Sequence, residues 1–270
     1  YFASYFDVTY NNILRRRLLI EAMRQTRETR GMDSEGYELK HVADHLENLL
    51  RQNGLEADED PRKEAWKTLL YELSTNDRNS LENLGLIHFN FVDKLKASRI
   101  GTFQGDEADT IYKVVAEAFK KDGMIEFPLQ TQFTEEDYAY YTYSKKRQYL
   151  ALETDSQYEN SFVPKKSNRF TKYISKAAAI EEEQARDYLR NIWEVLFERT
   201  GILIPNNAGN KSVLKNSSLR IQLTEDGIVD WYKCNKCGNL TPHNIRGFCI
   251  VGRCDGHLEQ VNPLENQKNN

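Results

Sequence analysis

Cys234, Cys237, Cys249 and Cys254 follow one another as C-x2-C-x11-C-x4-C, within 21 residues. This spacing is close to that of two short cysteine knuckles whose thiolates converge on one tetrahedral metal ion, at about 2.3 Å when the ion is zinc. Gly238 follows the first pair, and a residue without Cβ lets the backbone turn tightly around a metal. Four thiolates would close the coordination sphere and leave no position for water or substrate, so the implied Zn2+ is structural. In a short segment with little apolar core, such binding supplies on the order of 10 kcal/mol of folding free energy. The same cysteines would also allow two disulfides, the reading suited to a secreted module, but their spacing and the absence of a secretory leader favour metal. His243 and His257 lie beside them and could each replace a thiolate, although a four-thiolate site needs no further ligand.

Cationic residues form a second constellation. Lys165, Lys166, Arg169, Lys172 and Lys176 make a basic run interleaved with Phe170 and Tyr173. On a helix Arg169, Lys172 and Lys176 share a face, which suits tracking a phosphate backbone. Lys233, Lys236, Arg246 and Arg253 decorate the cysteine segment and fit phosphate contacts or a solvated surface equally well. The nucleic-acid candidates are therefore Lys165, Lys166, Arg169, Lys172, Lys176, Lys236 and Arg246. Arg15, Arg16 and Arg17 could likewise face DNA, or pair with acidic neighbours in a helical bundle. A net charge of −4 argues against a general polyanion binder, so any nucleic-acid contact must be local.

Catalytic patterns are missing: the sequence has no G-x-x-x-x-G-K-[ST] loop, no G-x-S-x-G elbow and no H-E-x-x-H pair. Glu181, Glu182 and Glu183 read as the solvated first turn of a helix, where carboxylates favour the positive end of the dipole. Trp66 and Trp193, at helical spacing, read as core. An independent hydrolase would need a nucleophile and base that the sequence does not display.

The elements that must position these residues follow from periodicity. Apolar residues at helical spacing predict helices over Asn11 to Arg30, Leu39 to Gln52, from Pro61 through Leu73, and over Asp106 to Lys121. Ser80 to Ile87 reads as a short helix breaking at Gly85 into a strand over Leu86 to Val92, and Glu135 to Thr154 as a long, partly exposed helix. After the break at Pro164 to Asn168, helices are expected over Arg169 to Ala179 and Glu181 to Arg199. Strands are expected at Ile202 to Ile204, Leu219 to Leu223 and Ile228 to Tyr232. Two helices followed by strands is the order of a winged helix. The expected fold class is mostly α with smaller α+β parts. A mainly helical accessory domain would cover 1-163, a winged-helix-like domain 164-230, a zinc ribbon 231-264 and a polar tail 265-270.

The 270 residues are 29% charged and 39% apolar, a composition of one or two globular domains. No run approaches the roughly 20 apolar residues of a membrane span, which excludes insertion. The chain begins at Tyr1 without a leader and reads as a cytoplasmic fragment of a longer protein.

Three segments resemble the region downstream of the motor in large bacterial superfamily-two DEAD/DEAH-box helicases, of the kind found in the Druantia and DISARM antiphage systems and their DNA-repair relatives. Leu14-Arg15-Arg16-Arg17-Leu18-Leu19-Ile20-Glu21 looks like the helix after the second RecA-like lobe. Ser80-Leu81-Glu82-Asn83-Leu84-Gly85-Leu86-Ile87 looks like the family's "LE-x-LGL" turn. Asn168 to Ile174, Trp231 to Cys234 and Arg253 to Glu259 look like its winged helix and zinc ribbon. The resemblance implies a DNA-engaging part of an ATP-dependent helicase or translocase, partnered by DNA, by motor domains of the same protein and by other defence-system subunits. ATP and Mg2+ would bind in that motor, since none of its nucleotide-binding residues are in this chain. A different class of reading is a zinc-stapled scaffold that docks a partner subunit through its many tyrosines.

Overall fold

The structure, a computed structural model, describes residues 2–54, 60–75, 79–92, 99–128, 131, 133–134, 150–154, 161–206, 211–227 and 229–263. Two compact units share the chain. Tyr1–Asn90, Phe127–Lys146 and Leu219–Ile228 form the first, and Phe91–Glu126, Arg147–Ser218 and Val229–Asn270 the second. Helices dominate, with small antiparallel sheets beside them. Among the described residues no helix is long and apolar enough to cross a membrane.

In the first unit α1 (Phe2–Arg30), α2 (Leu39–Gln52) and α3 (Pro61–Ser74) pack on one another. α2 buries Leu39, Val42, Ala43, Leu46, Leu49 and Leu50, the stripe its sequence period predicts. It ends where the backbone and side-chain amides of Asn53 both donate to the Leu49 carbonyl, at 3.1 and 2.8 Å. α3 starts on Pro61, and the Asp60 carboxylate accepts from the Arg62 amide at 3.1 Å.

α3 is not one-faced, because Glu64, Lys67 and Glu72 are buried beside Trp66, Leu69 and Leu70. Buried charge is tolerated when it is paired and hydrogen-bonded. Here Arg15 and Lys67 flank Glu64 at 2.6 and 2.8 Å, and Arg16 meets Glu72 at 2.6 Å. The other Glu72 oxygen accepts from the Leu81 amide at 2.9 Å. Arg15 and Arg16 therefore serve the helical unit, and only Arg17 of that cluster is exposed.

The expected helix at Ser80 is a single turn. Leu86 donates to the Leu81 carbonyl and Gly85 to that of Glu82, both at 2.9 Å, and Gly85 has φ +68°. This is a Schellman closure, which ends the turn before a regular helix develops. It leads into β2 (Ile87–Phe91). β7 (Leu219–Leu223) lies between β2 and β1 (Tyr37–Glu38).

In the second unit the hairpin β3 (Arg99–Ile100) and β4 (Phe103–Gln104) precedes α4 (Asp106–Lys121). Acidic residues in the first turn of α4 and lysines in its last complement the helix dipole. α5 (Arg169–Ala178) begins in a reciprocal cap: Asn168 Oδ1 accepts from the amides of Phe170 and Thr171, and the Asn168 amide donates to Thr171 Oγ1. α6 (Glu182–Glu194) does not run on as an α-helix to Arg199; Val195–Arg199 is a π turn. Its wider ring is closed by the Thr200 amide on the Val195 carbonyl, at 2.9 Å. Phe162 meets Phe119, Phe170 and Trp193 with ring centroids at 5.2, 5.1 and 5.7 Å, so Trp193 is core, as is buried Trp66 in the first unit.

β5 (Leu203–Pro205) and β6 (Ser212–Leu214) form an antiparallel hairpin after the two helices. The later strands of the expected winged helix go elsewhere. Leu219–Leu223 joins β1 and β2, and β8 (Trp231–Cys234), expected from Ile228, belongs to the cysteine-bearing sheet. β7 is buried along nearly its whole length and has β1 and β2 on its two edges. Of the helix expected over Glu135 to Thr154, residues 135–149 lie outside the described residues. Leu150 and Ala151 make isolated bridges to Ser212 and Ser161, so the described end is not helical.

Candidate metal centre

Two antiparallel pairings build the sheet that carries the cysteines: β8 lies between β9 (Leu240–Thr241) and β10 (Leu258–Val261), with Cys234 opposite Leu258 and Trp231 opposite Val261. Cys234 sits where β8 ends, and the chain turns at once. Gly238 donates to the Cys234 carbonyl at 3.0 Å, and the Cys234 amide donates to that of Asn239 at 2.9 Å. In the second knuckle Phe248 donates to the Ile245 carbonyl and Cys254 to that of Val251, at 3.1 and 3.0 Å. Leu258 then donates to the Gly247 carbonyl at 2.8 Å, tying this loop to β10.

The turns bring all four sulfurs within 4.8 Å of one another. Cys234 Sγ lies 3.6 Å from Cys254 Sγ, and Cys237 Sγ lies 3.7 Å from Cys249 Sγ. A disulfide would hold such atoms at about 2.05 Å. Bonds of about 2.3 Å to a tetrahedral ion would place the sulfurs about 3.8 Å apart, close to what is seen. The donor set therefore fits one thiophilic, four-coordinate cation. Gly256 donates to Cys254 Sγ at 3.4 Å, a contact that offsets thiolate charge.

The bare thiols differ in acidity. Burial pushes the Cys234 thiol up, but hydrogen bonds from the amides of Cys237 and Lys236 and from the Cys237 and Cys254 thiols together bring it down to about 7. Burial pushes the Cys237 and Cys249 thiols up. A bound dication would reverse this, because coordination deprotonates a thiol outright. The histidines stay outside. His257 is exposed, and the only described metal-binding group consists of the four cysteines.

The sheet is fixed to the helices of its own unit. Thr241 Oγ1 donates to Glu117 Oε2 of α4 at 2.7 Å, and Lys121 Nζ reaches Asn239 Oδ1 at 3.1 Å. Burial pushes the Glu117 carboxyl up, yet Lys121, His243, Lys120 and the Thr241 hydroxyl together hold it down at about 2. Burial holds His243 at about 4 against the pull of Glu117, so this imidazole is neutral at pH 7. From α5, Tyr173 is buried and its phenol is pushed up by burial and by the neighbouring Cys249 sulfur. Periodicity marks Glu117 only as a helix residue and Thr241 only as a loop residue, so sequence reasoning missed both.

The cationic candidates separate into two groups. Arg246 forks onto Glu107 at 2.8 and 2.7 Å, donates to the Ala177 carbonyl at 2.8 Å and lies over the Phe103 ring at 5.0 Å. Arg169 pairs with Asp122 and lies over the Phe170 ring at 4.6 Å, and Lys236 pairs with Asp255. These three hold protein to protein. Lys165, Lys166, Lys172 and Lys176 are exposed. No family model matches the chain, and no curated protein or solved structure matches it either.

Proposed function

We propose that the chain is a DNA-engaging accessory region stapled by one structural zinc ion on Cys234, Cys237, Cys249 and Cys254, serving an ATP-dependent helicase or translocase in antiphage defence or DNA repair. The observation that carries the zinc is the spacing of the sulfurs, at 3.6 and 3.7 Å across its two pairs. Zinc suits such a site because it is satisfied by four thiolates and has no redox chemistry of its own. Four unbonded cysteines suit the reducing cytoplasm. For DNA engagement the support is the exposed lysines on and before α5. The helix pair α5–α6 followed by the β5–β6 hairpin is the part of the chain proposed as winged-helix-like. Helicase membership rests on the resemblance of the three segments, with ATP and Mg2+ in motor domains beyond this chain.

The test is binding of the 270-residue chain to fluorescent single-stranded, duplex and forked DNA at two salt concentrations, with zinc determined on the same sample. Salt-sensitive binding with about one zinc per chain is expected, one ion being what a single four-thiolate site holds.

A second reading, a zinc-stapled scaffold for a partner subunit, is favoured by the engagement of Arg169, Lys236 and Arg246 in internal pairs and by the net charge of −4. Zinc without DNA binding at either salt would select it.

A further inference from the structure

Resting on the DNA-engaging reading, we infer that the phosphate backbone runs over a composite face made by the exposed side of α5 and the tip of the second cysteine knuckle, with Lys172, Lys176 and Arg253 as its cations. Arg253 lies outside the basic run that the sequence marks out.

Two contacts join these pieces within the second unit. Gly252 lies against the Arg169 side chain, close enough that an added Cβ would stand 3.8 Å from its Cδ. Arg246 Nη1 donates to the Ala177 carbonyl at the other end of α5, at 2.8 Å. The knuckle therefore lies along the helix from its first turn to its last.

Phe170, Thr171, Tyr173, Ile174, Ala177 and Ala178 face the core, which leaves Lys172 and Lys176 outward, four residues and so about 6 Å apart along the axis. Asn168 already caps the first amides of the helix, so an anion meets the lysines and not the helix end. Arg253 is exposed at φ +65° directly before Cys254. That left-handed conformation is uncommon outside glycine and must be imposed by its surroundings. Here the turn from Val251 to Cys254 imposes it, and Cys254 is a ligand candidate. Arg253 follows Gly252, which lies against Arg169 of α5, so gathering the four cysteines on a metal would fix the Arg253 backbone at the α5 surface. Neither lysine makes an ion pair among the described residues, and Arg169, which could have joined them, is held by Asp122. Lys172 and Lys176 are exposed on successive turns of the helix, which suits a repeating polyanion better than a single phosphate.

The test is the salt dependence of DNA binding by the whole chain. Each phosphate contact contributes about 0.9 to the log–log slope on duplex and about 0.7 on single strands. K172A/K176A should lower the slope by about 1.8 on duplex and about 1.4 on single strands, while the control K40A/R51A, exposed cations of the first unit, leaves it unchanged. R253A should lower it by close to 1 in the zinc-loaded chain and by nothing after chelation. DNA binding that persists with the slope intact in K172A/K176A would overturn the face while leaving the DNA-engaging reading standing. An equal R253A effect with and without zinc would overturn the metal-set placement of Arg253. Absence of salt-sensitive DNA binding by the parent chain, or binding to anionic vesicles instead, would overturn both readings.

Discussion

A Cβ placed on Gly256 would lie 2.5 Å from Cys234 Sγ and 2.7 Å from Lys236 Cβ. Real Cβ atoms do not approach sulfur so closely, so glycine is required here by space at the sulfur. Gly256→Ala must push Cys234 off the common centre of the four sulfurs. Displacing an outer support of a metal ligand typically costs 10- to 100-fold in affinity, and at least that loss is expected. Competition with a chromophoric chelator measures it, and an unchanged affinity would show that Cys234 is not a ligand.

Metal removal should loosen the C-terminal sheet before the helices of the first unit. β9 and β10 are two and four residues long and β8 four, too short to persist without the knuckles that join them. Hydrogen exchange after chelation should show lost protection in Trp231–Cys234 and Leu258–Val261, with α2 unaffected. Trp231, 1% exposed, supplies a second readout through a red-shifted emission. Protection of β8 that is the same with and without metal would rule out a structural role for the ion.

The cysteine site was legible in the sequence because ligand spacing is a local property: each knuckle closes within five or six residues, and its glycine turns show as residue types. Helices α2 and α4 were legible for the same reason, their period and stop signals lying within the element. Arg246 and Glu107 are 139 residues apart and Thr241 and Glu117 are 124 apart, so no local pattern announces either pair. Arg246 read as a surface cation because no acidic partner lies near it in the sequence, and only the fold brings Glu107, Ala177 and Phe103 around it. β7 was legible as a strand but not in its partners, because a short apolar run fixes the strand and leaves open which edges cover it. The π turn at Val195 was hidden for a different reason: one extra residue in a helical ring leaves the apolar pattern nearly intact.

Arg246 should behave as a clamp. Its ion pair with Glu107 is more than a third exposed on both sides and alone contributes under about 1 kcal/mol. The carbonyl bond to Ala177 and the stacking on Phe103 raise the expected cost of Arg246→Ala to about 1–2 kcal/mol. Arg246→Lys should recover little, since an ammonium cannot reproduce the fork. Urea denaturation of the metal-loaded chain measures both, and the DNA salt slope should not move. A lowered slope with unchanged stability would return Arg246 to the phosphate contacts.

Acid should act through His243. Burial depresses its folded-state value to about 4 from an ordinary 6.5, so below pH 6.5 the unfolded chain takes up a proton that the folded chain refuses. Stability is therefore lost as pH falls from about 6.5 towards 4. Part of the His243 residue remains accessible although its Nε2 is enclosed, which reduces the expected loss to on the order of 2 kcal/mol. Glu117 has the same sign in a lower window: its carboxylate contributes stability above about 4.5 that is lost as pH falls towards 2. Protonation of the cysteines also weakens the fold in acid, so the informative quantity is the difference between the parent and His243→Gln, which cannot titrate. Urea midpoints at pH 7.5, 6.0 and 5.0 should show the parent losing stability relative to that variant. A constant difference across the series would mean that His243 titrates alike in the folded and unfolded chains, so that burial does not depress it.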